Sequence, residues 1–467
     1  MLSGVLRNHS WEHEMATEAP QSPRVGKGGV KPKREGFGWE ALSVALSRLF
    51  QKGTYFFTSI ILARILGPEG RGLVSALLVP SQLAQNLSEM GIRQSTAFHL
   101  GRDIFSLERL LPTLLMMIPI ASGLAMAGTL IYFDYANLAE NDWPLRLLSI
   151  AAIPTSLTSS YASGVFLGRQ KIAAFRKTSW RPALVRMILI MALGWGVGLG
   201  VSGVMIANLG ASLMGAGYAL ILLAREGRLR LGFDREVAKS VQRRGVTYAA
   251  SLIVLMLNYK IMILLLTRYG SLSEVGLYAQ ATVIAELIWE MPAAIGSLLL
   301  SRSVNARQQA EFTRKLLALT RITFLAAVLV SIGIALTGWF MFPLLFGYSF
   351  GESSQICNAL LPGVVAFIVF KTLNSDLAGR GKPYLAMIIT VPVLLCNVVL
   401  GWWMIVHHGA MGAAIASSAC YILATLMYVI LYSRVTGVAV REMLSYRRSD
   451  FTLLFSKIPI LSERLRR

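Results

Sequence analysis

Charge is what this chain has least of. Acidic and basic residues together make up 15% of its 467 residues, against about 25% in a soluble domain. The deficit runs the whole length of a chain that is 55% hydrophobic, and lipid contact is the simplest account of it. Negative charge is scarcer still, with 24 Asp and Glu against 45 Lys and Arg. Such basicity can mark a nucleic-acid binder. Here the basic residues sit in short segments between apolar runs, which is a topology signal, so no nucleic-acid partner is expected. The three cysteines, Cys357, Cys396 and Cys420, show no CxxC pairing and no histidines at metal spacing. They read as small buried residues, and neither a disulfide framework nor a zinc site is expected. Residues 1–40 lack the apolar core of a signal peptide and carry Pro20, Pro23 and Pro32, so a disordered cytoplasmic tail is expected there.

Apolar runs are abundant. They fall near 44–66, 73–98, 110–133, 145–167, 183–202, 203–224, 246–267, 275–300, 317–343, 357–378, 384–405 and 410–432. A run of this length matches the thickness of a bilayer. Backbone groups in lipid must be satisfied within the segment, so the runs are helices, and the alternation of a β-barrel is absent. The expected fold is an all-α polytopic membrane protein of about twelve transmembrane helices. Glycines 194, 196, 198, 200 and 203 crowd the junction at 202–203. Two spans with a tight turn are expected there, because forty apolar residues exceed one bilayer crossing.

Charge orients the spans. The breaks at 168–182, 225–245 and 301–315 are rich in Lys and Arg, and so is the C-terminal tail. Alternate breaks carry Asp134, Glu140 and Asp142, or Glu352 alone. The positive-inside rule then places both termini in the cytoplasm.

The two halves resemble one another. An arginine, Arg64 or Arg268, ends the first helix of each half, and a Gly-Leu pair opens the next helix eight residues later, at Gly72 and Gly276. Parallel internal repeats are a transporter signature, with substrate held at the repeat interface. The expected organisation is an N-terminal tail (1–40), an N-lobe (41–224), a basic linker (225–245), a C-lobe (246–433) and a basic cytoplasmic tail (434–467).

The stretch from Thr58 to Gly101 contains Ala63, Arg64, Leu66, Gly67, Pro68 and Gly72, followed by Glu89 and Gly91. This pattern resembles the start of the polysaccharide-export flippases of O-antigen and exopolysaccharide synthesis. They belong to the multidrug/oligosaccharidyl-lipid/polysaccharide (MOP) superfamily, with the multidrug-and-toxin (MATE) exporters and lipid II flippases. The resemblance implies two six-helix lobes around a central cavity in the bacterial inner membrane, working by alternating access. It also implies a polyprenyl-pyrophosphate-linked glycan as substrate, moved from the cytoplasmic to the outer leaflet, and a polysaccharide polymerase as a partner beside the membrane lipids.

Charged residues inside spans are the candidates for function, since each costs roughly 2.5–3.5 kcal/mol to insert. Arg48, Lys52, Lys260 and Lys371 would form a cationic cavity for the pyrophosphate. Against this, Arg48 could snorkel to headgroups, and Lys260 could pair with Glu286 or Glu290. Gln82, Asn86, Glu89 and Arg93 draw one polar stripe, although Glu89 and Arg93 could simply pair at i,i+4. Glu286 and Glu290, one turn apart, would repel and are candidates for binding a coupling H⁺ or Na⁺. Arg64, Gly67, Gly72, Arg268 and Gly276 are candidates for gates, or for headgroup anchors. No catalytic residue, cofactor or metal site is expected, His407 and His408 included.

Two other functions fit less well. A cation antiporter of the same superfamily would use Glu286 and Glu290, but the cavity candidates are mainly basic. A membrane glycosyltransferase or polymerase would need a large outer loop and a nucleophile–base constellation, and neither is visible.

Overall fold

The computed structural model describes residues 34–139, 142–290, 309–382 and 384–445; the side chains of 34–46, Arg48, 309–311 and Leu444 lie outside that description. The chain divides into two units, residues 1–44 and 45–467. Of the first, residues 34–44 are helical and 1–33 lie outside the described residues. The tail expected at 1–40 is therefore helical from Arg34, because helix formation runs ahead of the apolar segment that marks the membrane.

The elements are α1 (Arg34–Glu89), α2 (Ile92–Gly101), α3 (Leu107–Tyr135), α4 (Trp143–Gly168), α5 (Ile172–Leu189), α6 (Gly200–Ala224), α7 (Arg235–Tyr269), α8 (Leu272–Leu287), α9 (Gln309–Phe346), α10 (Glu352–Gly379), α11 (Leu385–Thr436) and α12 (Val440–Leu444). A π-helical stretch, Ile190–Gly196, continues α5. The described residues contain no strand. Among the described residues, six helices are long and apolar enough to cross a membrane.

Two long helices are broken in the middle. Gly67 interrupts α1 with φ 63° and ψ −176°, and Gly409 interrupts α11 with φ 53° and ψ −135°. Both conformations suit glycine, which has no Cβ to clash. Beyond Gly409 the chain folds back, so that a Cβ on Gly412 would lie 2.1 Å from the Met404 carbonyl oxygen. With α1 and α11 each split in two, α5 prolonged to Gly196 and α2 continuing the second half of α1, the described residues make twelve helical traverses. The polytopic all-α fold expected from the apolar runs is what the chain adopts.

Three boundaries differ from expectation. The break at 168–182 shrinks to three residues, since α5 starts at Ile172 and carries Arg176, Lys177, Arg181 and Arg186. The linker at 225–245 is loop only as far as Asp234, whose side chain caps α7 by accepting from the Glu236 and Val237 amides. The C-terminal tail starts later than 434, because α11 runs to Thr436, and α12 follows. The common cause is that apolarity marks the lipid-embedded part of a helix, whereas the helix itself extends into the headgroup region. The junction near 202 is two traverses, turned at 197–199 beside Gly198 and Gly200, both at positive φ. The basic segment 301–308 and the tail beyond Ser445 lie outside the described residues.

Among the described residues two large hydrophobic cores form, with a small cluster of Leu62, Val74, Ile190, Val204 and Ala207 beside them. One large core gathers residues from the second half of α1 to α6, from Ala76 to Leu223. The other gathers residues of α7 to α11, from Met262 to Tyr432, with Met443. Each half lends part of its first helix to the other. Ala63 of α1 belongs to the second core, and Val237 and Val241 of α7 belong to the first. These two exchanges fix the contact between the halves, and the candidate residues lie along it.

Candidate functional site

Loops rich in Lys and Arg gather at one end of the helices, called the basic end below. At the opposite end the two halves meet backbone to backbone. A Cβ on Gly72 would lie 1.7 Å from the Leu272 carbonyl oxygen, and one on Gly276 would lie 1.9 Å from the Pro68 carbonyl oxygen. Only glycine permits this approach. The paired Gly-Leu turns seen in the sequence are thus the two faces of one seam. Flanking it, Arg64 donates from Nε to the Leu345 carbonyl at 2.9 Å and also to the Leu344 carbonyl. Tyr132 donates to the Leu264 carbonyl at 2.9 Å. Arg64 therefore clasps the end of α9. Arg268 lies over the rings of Tyr135 and Tyr269, 5.4 and 5.6 Å from their centroids.

Below the seam, toward the basic end, lysines and carboxylates meet around α8. Lys52 of α1 forms an ion pair with Glu290 at 2.7 Å, and Lys260 of α7 pairs with Glu286 at 3.5 Å. The Lys52 pair joins the two halves, and the Lys260 pair lies within the second half. Lys371 of α10 places its ammonium 3.7 Å from the centroid of Trp289 and 5.1 Å from that of Tyr259. An ammonium over an aromatic face is attracted by about 0.5–2 kcal/mol.

The aromatic wall is built by three helices and the turn that follows α8. Trp289 packs against Tyr259, Phe367 and Tyr421, with ring centroids 5.0, 5.7 and 5.6 Å away. Its indole Nε1 donates to the Val364 carbonyl at 2.9 Å. This indole is buried because α8 ends at Leu287 and the chain turns at Ile288. Glu286 and Glu290 lie on either side of the turn at Ile288 and Trp289. Each carboxylate takes its own lysine, and pairing replaces the repulsion expected between them.

The stripe on the second traverse divides. Gln82 is exposed, and Asn86 donates to the Gln82 carbonyl at 2.7 Å. Glu89 is buried and lies 3.8 Å from Arg93, so the i,i+4 pairing is present. Arg48 sits on α1, but its side chain lies outside the described residues. Asp376, near the basic end of α10, accepts from Arg380 at 2.7 Å and from Tyr432 at 2.7 Å. No group of three metal-ligating side chains occurs among the described residues.

Two further cations were not read from the sequence. Arg71 donates to Ser75 Oγ at 2.7 Å and to Gln280 Oε1 at 3.4 Å. Ser59 donates to the same Gln280 oxygen at 3.1 Å. Arg186 of α5 lies over Tyr55, 4.4 Å from the ring centroid. At 1.5 Å per residue, Arg71 is about 6 Å from the turn at Gly67, and Lys52 about 22 Å from it. Arg71 therefore lies nearer the seam than Lys52 does, whereas Arg186 lies at the level of Tyr55.

Fold and site together define a class, the two-lobed polytopic membrane protein with a charged line of contact between its halves. The sequence pattern of polysaccharide biosynthesis proteins matches residues 38–300, and the chain belongs to that family. No curated protein matches it by sequence. Among solved structures, an inward-facing multidrug resistance MATE transporter of the MOP superfamily shares the fold at 16% identity and a TM-score of 0.70, over 86% of this chain and 100% of that one. The lipid II flippase MurJ, in an inward closed conformation, does so at 14% identity and a TM-score of 0.70, over 89% and 92%. A MOP transporter from Pyrococcus furiosus does so at 13% identity and a TM-score of 0.55, over 87% and 95%. The chain thus has the MATE-like fold of the MOP superfamily.

Proposed function

We propose that the protein is a transporter that carries a polyprenyl-diphosphate-linked oligosaccharide from the cytoplasmic to the outer leaflet of the inner membrane by alternating access. The observation that supports this reading is the Lys52–Glu290 ion pair joining the two halves, with the Lys260–Glu286 pair in the second half, in a member of the polysaccharide biosynthesis family. A phosphate-bearing headgroup needs cations to cross hydrocarbon. It also needs a path that opens at one end while the other stays shut. The glycine seam supplies a closed end opposite the basic loops. With the basic end in the cytoplasm, this conformation is sealed outward.

Loading replaces the carboxylates. Glu286 and Glu290 hold the lysines in the absence of substrate, and the incoming diphosphate takes the lysines from them. The displaced carboxylates are then free to bind H⁺ or Na⁺, which would couple transport to an ion gradient. A polysaccharide polymerase on the outer side would consume the product. A drug–cation antiporter would need acidic groups free for an organic cation, and here each of the two acids is matched by a lysine.

The test is transfer of a short-chain polyprenyl-diphosphate sugar across proteoliposomes. Protein-dependent transfer supports the reading. Expulsion of cationic dyes without any lipid transfer rejects it.

A further inference from the structure

The chain that joins the two halves runs along the basic end, from Ala224 at the close of α6 to Arg235 at the start of α7. Residues 228–234 form neither helix nor strand, yet the segment is held at both ends. Near its start, Glu226 takes Lys171 and, at 3.4 Å, Arg169. At its finish, Asp234 takes Arg109 at 2.5 Å and caps α7. Both of its acids are therefore committed. Arg228 and Arg230 lie between them and Arg225 just before, all three exposed and without an ion pair or side-chain hydrogen bond among the described residues.

The same segment exposes large apolar side chains. Leu231 is 76% exposed, Phe233 58% and Leu229 42%. Three such side chains on one short stretch are costly in water and cost nothing against lipid. Depth favours lipid. A Cβ on Gly232 would lie 3.3 Å from Pro112 Cβ, and the Asp234 amide donates to Thr113 Oγ1 at 3.1 Å. Pro112 and Thr113 stand at the beginning of the apolar run of α3 that starts near residue 110. The segment therefore lies where hydrocarbon gives way to headgroups. There, apolar side chains reach into the acyl layer and arginines keep their charge at the phosphates.

We propose that residues 225–233 are a membrane-surface strap that binds anionic phospholipid of the cytoplasmic leaflet. Arg225, Arg228 and Arg230 contact the phosphates, and Leu229, Leu231 and Phe233 anchor in the acyl layer. Charge selects an anionic over a zwitterionic headgroup, because the strap's own acids are spent on Arg109, Arg169 and Lys171 and its arginines face the leaflet unmatched. The strap is separate from the lysines around α8, and it stands whatever molecule is transported. Pinned through Asp234 to α3 and α7, it ties the junction of the two halves to the membrane plane.

The test uses full-length protein with a bimane on Phe233→Cys in a Cys396→Ser background, where the apolar label replaces the phenyl ring. Nanodiscs of phosphatidylcholine receive rising amounts of brominated phosphatidylglycerol or brominated phosphatidylcholine. The mole fraction that quenches half of the emission should be at least about fivefold lower for the anionic lipid, and salt should shrink that gap. Arg228→Gln/Arg230→Gln should bring it below about twofold, and Arg228→Lys/Arg230→Lys should keep most of it, since the leaflet attracts charge. Arg176→Gln/Lys177→Gln removes as much charge from α5 at the same end and should leave the gap unchanged. Equal quenching by the two lipids with the strap unaltered overturns the proposal. So does a gap that survives the glutamine pair, or one that falls equally in the α5 pair. Quenching by iodide and by neither lipid means that the strap faces water and a soluble acidic partner, which also overturns it. Should the glutamine pair not fold, the salt series on the unaltered strap decides, and a gap that salt does not shrink overturns the headgroup contact.

Discussion

The lysines and the two arginines answer the same physical problem in opposite ways. Each puts positive charge inside apolar helices. At the lysine level the charge is answered from within, by Glu286, Glu290 and the aromatic wall of Trp289 and Tyr259. Around Arg71 and Arg186 it is met, among the described residues, by neutral oxygens and one aromatic ring. A self-neutralised cluster can rest empty at little cost, but it binds a newcomer only by exchange.

Four substitutions would break or sharpen this contrast. The largest effect is expected at Trp289→Ala, which removes a buried indole from the wall that faces Lys371. It should cost about 3–5 kcal/mol of stability, read as a fall in melting temperature of the detergent-purified protein. A shift near zero would mean that the lysine level does not lean on that wall. Next comes Gly72→Leu, which puts atoms where the Leu272 backbone lies. Overpacking of this kind costs about 1–3 kcal/mol, or roughly 5- to 150-fold in the population of this closed state. Alkylation of a cysteine at Gln280 from the outer side should rise accordingly, while an unchanged rate would show that the seam is not a closure.

A smaller effect follows from Glu286→Gln. It leaves Lys260 without its carboxylate in a site about one-third exposed, so the loss should be about 1 kcal/mol. The double variant Lys260→Met/Glu286→Gln should recover most of it, because removing both partners removes the unmatched charge. If the double variant is the less stable, the pair is not a self-neutralised unit. The smallest effect belongs to Ser59→Ala beside Arg71. It deletes one hydroxyl hydrogen bond to Gln280, worth about 0.5–1.5 kcal/mol. Arg71 continues to hold the same oxygen, so the fall in melting temperature should be the smallest of the four.

Much of the fold was legible because lipid imposes one strong rule. A helix in hydrocarbon must be apolar over the thickness of a bilayer, and the twelve traverses follow from that. The turns at Gly67 and the seam glycines Gly72 and Gly276 were also visible, as a repeated pattern, although their direct contact was not. That contact depends on how the halves pack, which periodicity does not encode. The aromatic wall was hidden for the same reason, since Tyr259, Trp289, Phe367 and Tyr421 come from separate helices and a turn. Arg71 escaped notice between Gly70 and Gly72, where it reads as part of a polar turn. In the structure it lies in the first helical turn after Gly67, with its side chain on Gln280. Arg186 stands alone in an apolar run, and that isolation was the signal that could have found it.

The claim on which the account rests is that cations between the halves carry a lipid-linked diphosphate. The most direct measurement is the initial rate of transfer of a polyprenyl-diphosphate disaccharide in proteoliposomes, comparing wild type with Lys52→Gln/Lys260→Gln. Both proteins should be reconstituted at equal density with matched melting temperatures. The account predicts a fall of at least about tenfold, since a charge-assisted contact is worth about 1.5–3 kcal/mol. Equal rates in the two proteins would contradict it.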